Sequence, residues 1–157
     1  MIEGGALTQD ELERWGRAIG AAARPPLMLA LDGPLGAGKS VLARSIARGA
    51  GVAGSVPSPT YTLVQSYELG GGRRLVHMDL YRLGHPDEVI ELGWDDLVSD
   101  PEALVVVEWA ERAGEHLPGD RWAISLAPVE GEPELRRLDG RAIGAPGPLP
   151  ARDGVGR

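Results

Sequence analysis

The feature that most constrains this chain is a glycine-rich loop set between an apolar run and a helical pattern. Leu27-Met28-Leu29-Ala30-Leu31 is continuously apolar, as suits a strand buried on both faces. Gly33-Pro34-Leu35-Gly36-Ala37-Gly38-Lys39-Ser40 follows, and a helix through Val41, Leu42, Ile46 and Ala47 then runs to Gly49-Ala50-Gly51. This is G-x-x-x-x-G-K-[ST] in the strand–loop–helix context that its chemistry requires. The glycines let successive backbone N–H groups converge into an anion-binding nest, and the helix N-terminus adds partial positive charge. Gly33, Gly36, Ala37, Gly38, Lys39, Ser40 and Val41 are thus the candidate phosphate-binding positions. Lys39 is expected at the β/γ-phosphates and is a catalytic candidate; the Ser40 hydroxyl is expected on Mg²⁺. Pro34 has no N–H, but the main donors come later in the loop. Guanine-selective P-loop proteins use an Asn/Thr-Lys-x-Asp element against the purine. This chain has no asparagine, and its one lysine is already in the loop, so ATP is expected rather than GTP.

Composition bears on that lysine. Of 16 basic residues, 15 are arginine, and the exception is Lys39, where a compact ammonium suits the phosphates better than a planar guanidinium. The chain's 157 residues fit one domain with a single α/β core. A net charge of −7, with basic residues scattered, argues against autonomous binding to DNA or RNA, although a partner can carry an acidic protein to nucleic acid. The absence of cysteine excludes disulfides, thiolate metal sites and a cysteine nucleophile. No apolar run is long enough for a membrane span, and no signal-peptide pattern opens the chain, so a cytoplasmic protein is expected.

Thr8-Gln9-Asp10-Glu11 reads as a capping box, and Leu12, Trp15 and Ile19 continue it as an amphipathic helix over about 8–23. Residues 52–60 are expected as loop. Tyr61 to Leu69 and 73–80 read as a hairpin around Gly70-Gly71-Gly72. A helix is expected from about Pro86 to Val98, with Val89, Ile90, Trp94 and Leu97 on one side. Leu104-Val105-Val106-Val107 is a second buried strand, and Trp122–Leu126 a further one that pairs near 134–138. The Gly-, Pro- and Ala-rich residues 140–157 are expected as a mobile tail, leaving 1–139 as the domain. The expected fold is a P-loop NTPase-like α/β domain: a mainly parallel sheet with an antiparallel hairpin, flanked by helices.

Two apolar strands end on carboxylates. Glu108 closes Leu104–Val107 and Asp79 closes the strand through His77. Apolar strands in such sheets deliver side chains to the ligand crevice. Glu108 is therefore expected on the magnesium. Asp79 is expected to position water or to contact the metal, and the two roles remain interchangeable at this stage. Thr60 and Thr62, in Ser58-Pro59-Thr60-Tyr61-Thr62, stand where many P-loop NTPases sense the γ-phosphate, and an ordinary turn into a strand fits equally well. His77 reads as a packed strand residue, and Trp109 as packing or as a platform for a base or partner.

The blocks Gly36–Ser40, Ser58-Pro59-Thr60-Tyr61-Thr62-Leu63-Val64, His77-Met78-Asp79-Leu80-Tyr81-Arg82-Leu83 and Val107-Glu108-Trp109 together resemble the TsaE (YjeE) family, over about residues 8–127. The resemblance implies a bacterial cytoplasmic ATPase of tRNA threonylcarbamoyladenosine biosynthesis, acting with TsaD and TsaB and reaching tRNA through them. It implies that TsaC makes threonylcarbamoyl-adenylate, that TsaD transfers the group to adenosine 37, and that TsaE supports turnover by hydrolysing ATP. By the same resemblance, Ser40 and Glu108 are magnesium ligands and Asp79 is the catalytic carboxylate. Nucleotide contacts are implied near Gln9 and from a late-strand arginine, Arg136 or Arg137. Pro34 stands where the family has Asp, Ser40 where Thr is commoner, and Val41 where a hydroxyl is usual, which removes a potential α-phosphate contact. Two other readings share the same parts: a small P-loop kinase, which needs an Arg-rich lid, and a nucleotide-dependent regulatory switch. Arg73-Arg74, beside a glycine-rich turn, make a poor lid.

Overall fold

Residues 2–54 and 63–150 are described by the structure, a computed structural model. Among the described residues twelve elements follow in chain order. β1 (Ile2–Thr8), α1 (Gln9–Ala22), β2 (Leu27–Asp32) and α2 (Lys39–Ala50) come first. They are followed by β3 (Val64–Gly70), β4 (Arg73–Asp79), a 3-10 helix (Pro86–Leu92) and α3 (Trp94–Ser99). The last are β5 (Ala103–Glu108), a second 3-10 helix (Ala110–His116), β6 (Arg121–Val129) and β7 (Glu132–Ile143). The seven strands form one sheet in the order β1-β7-β6-β2-β5-β4-β3. Its centre, β6-β2-β5-β4, is parallel, and the β3–β4, β6–β7 and β1–β7 pairs are antiparallel. The α/β sheet with an antiparallel hairpin expected from sequence is what forms.

Both faces of the central strands are covered, which explains their unbroken apolar runs. Strand alternation sends Leu27, Leu29 and Leu31 of β2 into one core with α1 and α2, and Met28 and Ala30 into a second core with the 3-10 helices and α3. β5 divides the same way, Leu104 and Val106 against Val105 and Val107. Helix α1 starts with the expected capping box: Thr8 Oγ1 accepts from the Glu11 N–H at 3.2 Å, and Glu11 Oε1 accepts from the Thr8 N–H. The backbones of α1 and α2 touch. A Cβ built on Gly20 would lie 2.0 Å from Ile46 O, and one on Gly49 would lie 2.0 Å from Arg17 O.

Two expectations need correction, and one strand was not foreseen. The helix over 86–98 is two short pieces, because Gly93 adopts φ 77° and breaks the chain between them. The 3-10 spacing of the first piece turns Ile90 outward, to 46% exposure, while Val89 and Trp94 stay buried. The tail does not begin at Gly140, since β7 runs on to Ile143 with Gly140 paired to Ile124. Beyond it, the Trp122 and Trp15 indole N–H groups donate to Gly147 O (2.6 Å) and Pro150 O (3.1 Å), and Leu149 packs on the core. Residues 151–157 lie outside the described residues. Finally, β1 had no sequence signal; its pairing with β7 supplies what Gly4 and Gly5 lack in strand propensity.

Candidate functional site

The parallel strands β2, β4 and β5 all end at one edge of the sheet, and register decides what they deliver there. Leu31 is opposite Glu108, and Asp79 is opposite Glu108 on the other side. Alternation places His77, Asp79 and Glu108 on the same sheet face as Leu75, Leu104 and Val106, the face covered by α2. The start of α2 therefore meets three polar side chains at the end of an apolar layer. His77, Asp79 and Glu108 are buried, at 1%, 6% and 2% exposure.

The loop between β2 and α2 needs its glycines. Gly33 has φ 147°, Gly36 φ 80° and Gly38 φ 108°, in the region that disfavours side chains. A Cβ on Gly33 would also lie 2.2 Å from Leu126 O, so β6 sets how deep the loop sits. Gly38 is the N-cap of α2, and its left-handed backbone turns the loop into the helix. Lys39 is buried, with Nζ donating to Gly33 O (2.5 Å) and Pro34 O (2.9 Å) and lying 4.1 Å from the centre of the Trp109 ring. Burial pushes the Lys39 ammonium below its ordinary pKa, while Glu108, Glu111, Asp79 and Asp32 push it back up.

Ser40 Oγ donates to Glu108 Oε1 at 2.6 Å, and the other oxygen, Oε2, meets His77 Nε2 at 2.6 Å. Asp79 Oδ1 accepts the Tyr81 N–H at 2.9 Å. Burial raises the Asp79 pKa, against the lowering effect of that N–H, and the Glu108 charge adds to the rise. His77 is indeed a buried strand residue, but its ring is spent on Glu108 rather than on apolar packing alone.

Around this floor lies a cleft of about 630 Å³. Gly36, Gly38, Lys39, Ser40 and Val41 line it, with Asp79, Tyr81, Glu108 and Trp109 at the strand ends. Thr8, Gln9 and Asp10 form a second wall from the first turn of α1, and Pro133, Glu134 and Arg136 a third from β7. Of the two late arginines, Arg136 reaches the cleft; Arg137 is exposed and is not among the lining residues. Gly33 and Ala37 shape the loop from beneath without lining the cleft, Ala37 being buried in the core. Thr60 and Thr62 lie outside the described residues. Arg73 and Arg74 open β4 at the end opposite Asp79, about 20 Å away by strand rise, and Arg74 is ion-paired with Asp100 at 2.7 Å.

Sequence reasoning missed the Asp32–Glu111 pair. The Glu111 N–H donates to Asp32 Oδ1 at 3.2 Å, and partial burial together with Asp32 raises the Glu111 carboxyl to about 7. Asp32 ends an apolar strand as Glu108 does, and that shared signal was available. Trp109 has φ 56°, a backbone region uncommon for a bulky residue, and its ring stands 4.9 Å from that of Tyr81. No motif foretells that turn.

The family model described as "Threonylcarbamoyl adenosine biosynthesis protein TsaE" matches residues 7–137. Among curated proteins, the tRNA threonylcarbamoyladenosine biosynthesis protein TsaE of Streptomyces coelicolor is 38% identical over 133 residues, covering 82% of this chain and 88% of its own length. The protein of that name from Bacillus subtilis is 36% identical over 117 residues, 74% of this chain and 72% of its own. The one from Haemophilus influenzae is 41% identical over 92 residues, and there the match spans only 57% of the relative's length. A crystal structure of Bacillus subtilis YdiB superposes with a TM-score of 0.73 at 28% identity, covering 92% of this chain and 88% of that one. With a family match over most of its length and relatives that agree with it, this chain belongs to the TsaE family of threonylcarbamoyl adenosine biosynthesis proteins.

Proposed function

We propose that the cleft binds Mg-ATP and hydrolyses it, and that the chain serves tRNA N6-threonylcarbamoyladenosine formation at position 37 together with TsaD and TsaB. The observation that carries the chemistry is the convergence of the glycine cradle, Lys39 and the Ser40–Glu108 contact on one cleft. Membership of the family carries the pathway. Lys39 and the N–H groups opening α2 are the groups suited to hold the β/γ-phosphates. Gln9 and Arg136 line the walls away from the strand ends and are the side chains suited to meet the rest of the nucleotide.

The donor set suits magnesium. Ser40 Oγ and Glu108 Oε1 are hard oxygens already 2.6 Å apart, and Asp79 is paired beside Glu108. Among the described residues no group of three or more His, Cys, Asp and Glu side chains is arranged to hold a metal. That agrees with an ion held by one or two protein oxygens, substrate phosphates and water. Bound there, it would neutralise phosphate charge. Asp79, buried with one oxygen held by the Tyr81 N–H, is the carboxylate suited to orient the attacking water and accept its proton. The net charge of −7 fits a component that meets tRNA through partners. Among the described residues no helix is long and apolar enough to cross a membrane. A kinase reading would ask Arg73 and Arg74 to close on the cleft from the far end of β4.

The test is ATP hydrolysis by the purified protein, alone and then with TsaB, TsaD and tRNA from its own organism. Weak activity that rises with the partners is expected. Activity indifferent to them would leave the ATPase and remove the proposed role in the pathway.

A further inference from the structure

We infer that His77 is a positioning residue: it fixes the Glu108 carboxylate so that Oε1, and not Oε2, faces Ser40 and the metal. The inference rests on the Mg-ATP reading of the cleft. His77 is 1% exposed and Glu108 is 2% exposed, and the pair is made across two parallel strands, Nε2 to Oε2 at 2.6 Å. His77 Nδ1 is also buried and has no hydrogen-bond partner among the described residues. That orphan assigns the tautomer. A buried N–H without an acceptor leaves a strong donor unpaired, whereas a bare ring nitrogen leaves only a lone pair, so the proton belongs on Nε2. The Nε2–H therefore donates to Oε2, and that oxygen is committed. Oε1 accepts from Ser40 Oγ at 2.6 Å, beside the cleft that both residues line.

The pair does two things that a packed hydrophobe at 77 cannot do. It supplies Oε2 with a donor where water does not reach, and it stops the carboxylate from rotating about its last bond. Partners that orient a metal-binding carboxylate typically carry 10–100-fold in metal affinity or activity. Alternation explains why position 77 is available: it lies two residues before Asp79 on the same face, so one strand supplies both the carboxylate and the group that steers its neighbour.

Binding of N-methylanthraniloyl-ATP, followed by fluorescence with and without Mg²⁺, separates this role from packing. In His77→Leu, affinity without Mg²⁺ should stay within about twofold of wild type, and the Mg²⁺ concentration for half-maximal enhancement should rise about tenfold or more. His77→Gln, which keeps an N–H donor, should recover most of that loss. A folded His77→Leu protein with wild-type Mg²⁺ dependence would overturn the inference, as would equal losses with and without the metal. If the leucine variant does not fold, nitrogen-15 NMR of histidine-labelled wild-type protein decides: Nε2 protonated with Nδ1 bare supports the role, and the Nδ1–H tautomer overturns it. A wild-type protein that binds no nucleotide at any Mg²⁺ concentration would instead refute the Mg-ATP reading itself.

Discussion

Replacing Gly20 by alanine should destabilise the protein, although alanine is the better helix former. Gly20 lies inside α1, where Gly→Ala alone would contribute about 1 kcal/mol of stability. Its Cβ, however, would stand 2.0 Å from Ile46 O, 2.6 Å from Ala50 N and 2.9 Å from Gly49 C, all backbone atoms of α2. Carbon–oxygen contacts settle near 3.3 Å, so the helices must part by on the order of 1 Å. No rotamer change relieves the clash, because the obstacle is main chain. Parting also opens the reciprocal approach at Gly49 and loosens Leu42 and Ile46, both fully buried. Overpacking of this kind costs about 1–3 kcal/mol, and an immovable neighbour puts it near the upper figure. After subtraction of the helix gain the net loss is about 2 kcal/mol, or a Tm lower by roughly 4–8 °C for a chain of this size. Thermal melts followed by circular dichroism, with urea titrations at 25 °C, would measure it. Gly119→Ala, where an added Cβ meets nothing within 4 Å, is the matched control and should stay within about 0.5 kcal/mol. A Gly20→Ala protein that melts at or above wild type would refute the argument that these helix backbones touch.

Lys39→Ala should weaken N-methylanthraniloyl-ATP binding at least about tenfold, the value of a lost charge-assisted hydrogen bond, with the far-ultraviolet spectrum unchanged. Asp79→Asn should keep nucleotide affinity within about threefold and reduce hydrolysis by at least about a hundredfold; a comparable loss of binding would place Asp79 on the metal instead. Glu108→Gln should abolish the Mg²⁺ dependence of nucleotide binding, and full Mg²⁺-dependent turnover in that variant would remove it from the metal site. Glu111 titrates at about 7 in the folded chain against about 4.5 when unfolded, so the folded state holds the extra proton between those values. Stability should therefore fall as pH rises from about 4.5 to 7, by less than about 1 kcal/mol because the side chain is only partly covered and solvent screens it, and urea titrations of Glu111→Gln should lose that component of the slope.

The parts of this fold that were legible in the sequence are those with a local physical cause. The buried strands announce themselves as apolar runs, α1 by its capping box, and α2 by the loop that opens it. Strand-end position alone nominated Asp79 and Glu108, and both line the cleft. The misses have non-local causes. β1 forms because β7 offers an edge, and residues 144–150 are held by the Trp122 and Trp15 side chains, 25 and 135 residues distant from the carbonyls they meet. Composition made that segment look unpackable because it weighs side chains, whereas most of its polar anchors are main chain: the Gly147 and Pro150 carbonyls and the Ala145 N–H, which donates to Asp120 Oδ1 at 2.9 Å. The break at Gly93 was readable in principle, since glycine within a helical pattern is a natural left-handed stop. Arg136 and Arg137 could be told apart only by strand register, which sends adjacent residues to opposite faces.

Lys39 is ringed by Asp32, Asp79, Glu108 and Glu111, each of which raises its affinity for a proton. One ammonium among four carboxyl groups is a poor receptor for a free triphosphate, whose charge those groups oppose. Two devices soften the opposition within the chain. Glu108 is engaged on both oxygens, by Ser40 and His77, and Glu111 holds its proton up to about neutral pH beside Asp32. The acidity left over is what a divalent cation would offset, so on the proposed reading the metal strengthens nucleotide binding as well as assisting the chemistry. The Lys39 ammonium is meanwhile bound to the carbonyls of Gly33 and Pro34 and covered by Trp109. Phosphate must therefore compete with the loop's own acceptors for that lysine. Binding in such a site exchanges internal contacts for ligand contacts, and its net strength depends on how well Mg²⁺, Lys39, Arg136 and the N–H groups opening α2 together outweigh the carboxylates that remain charged.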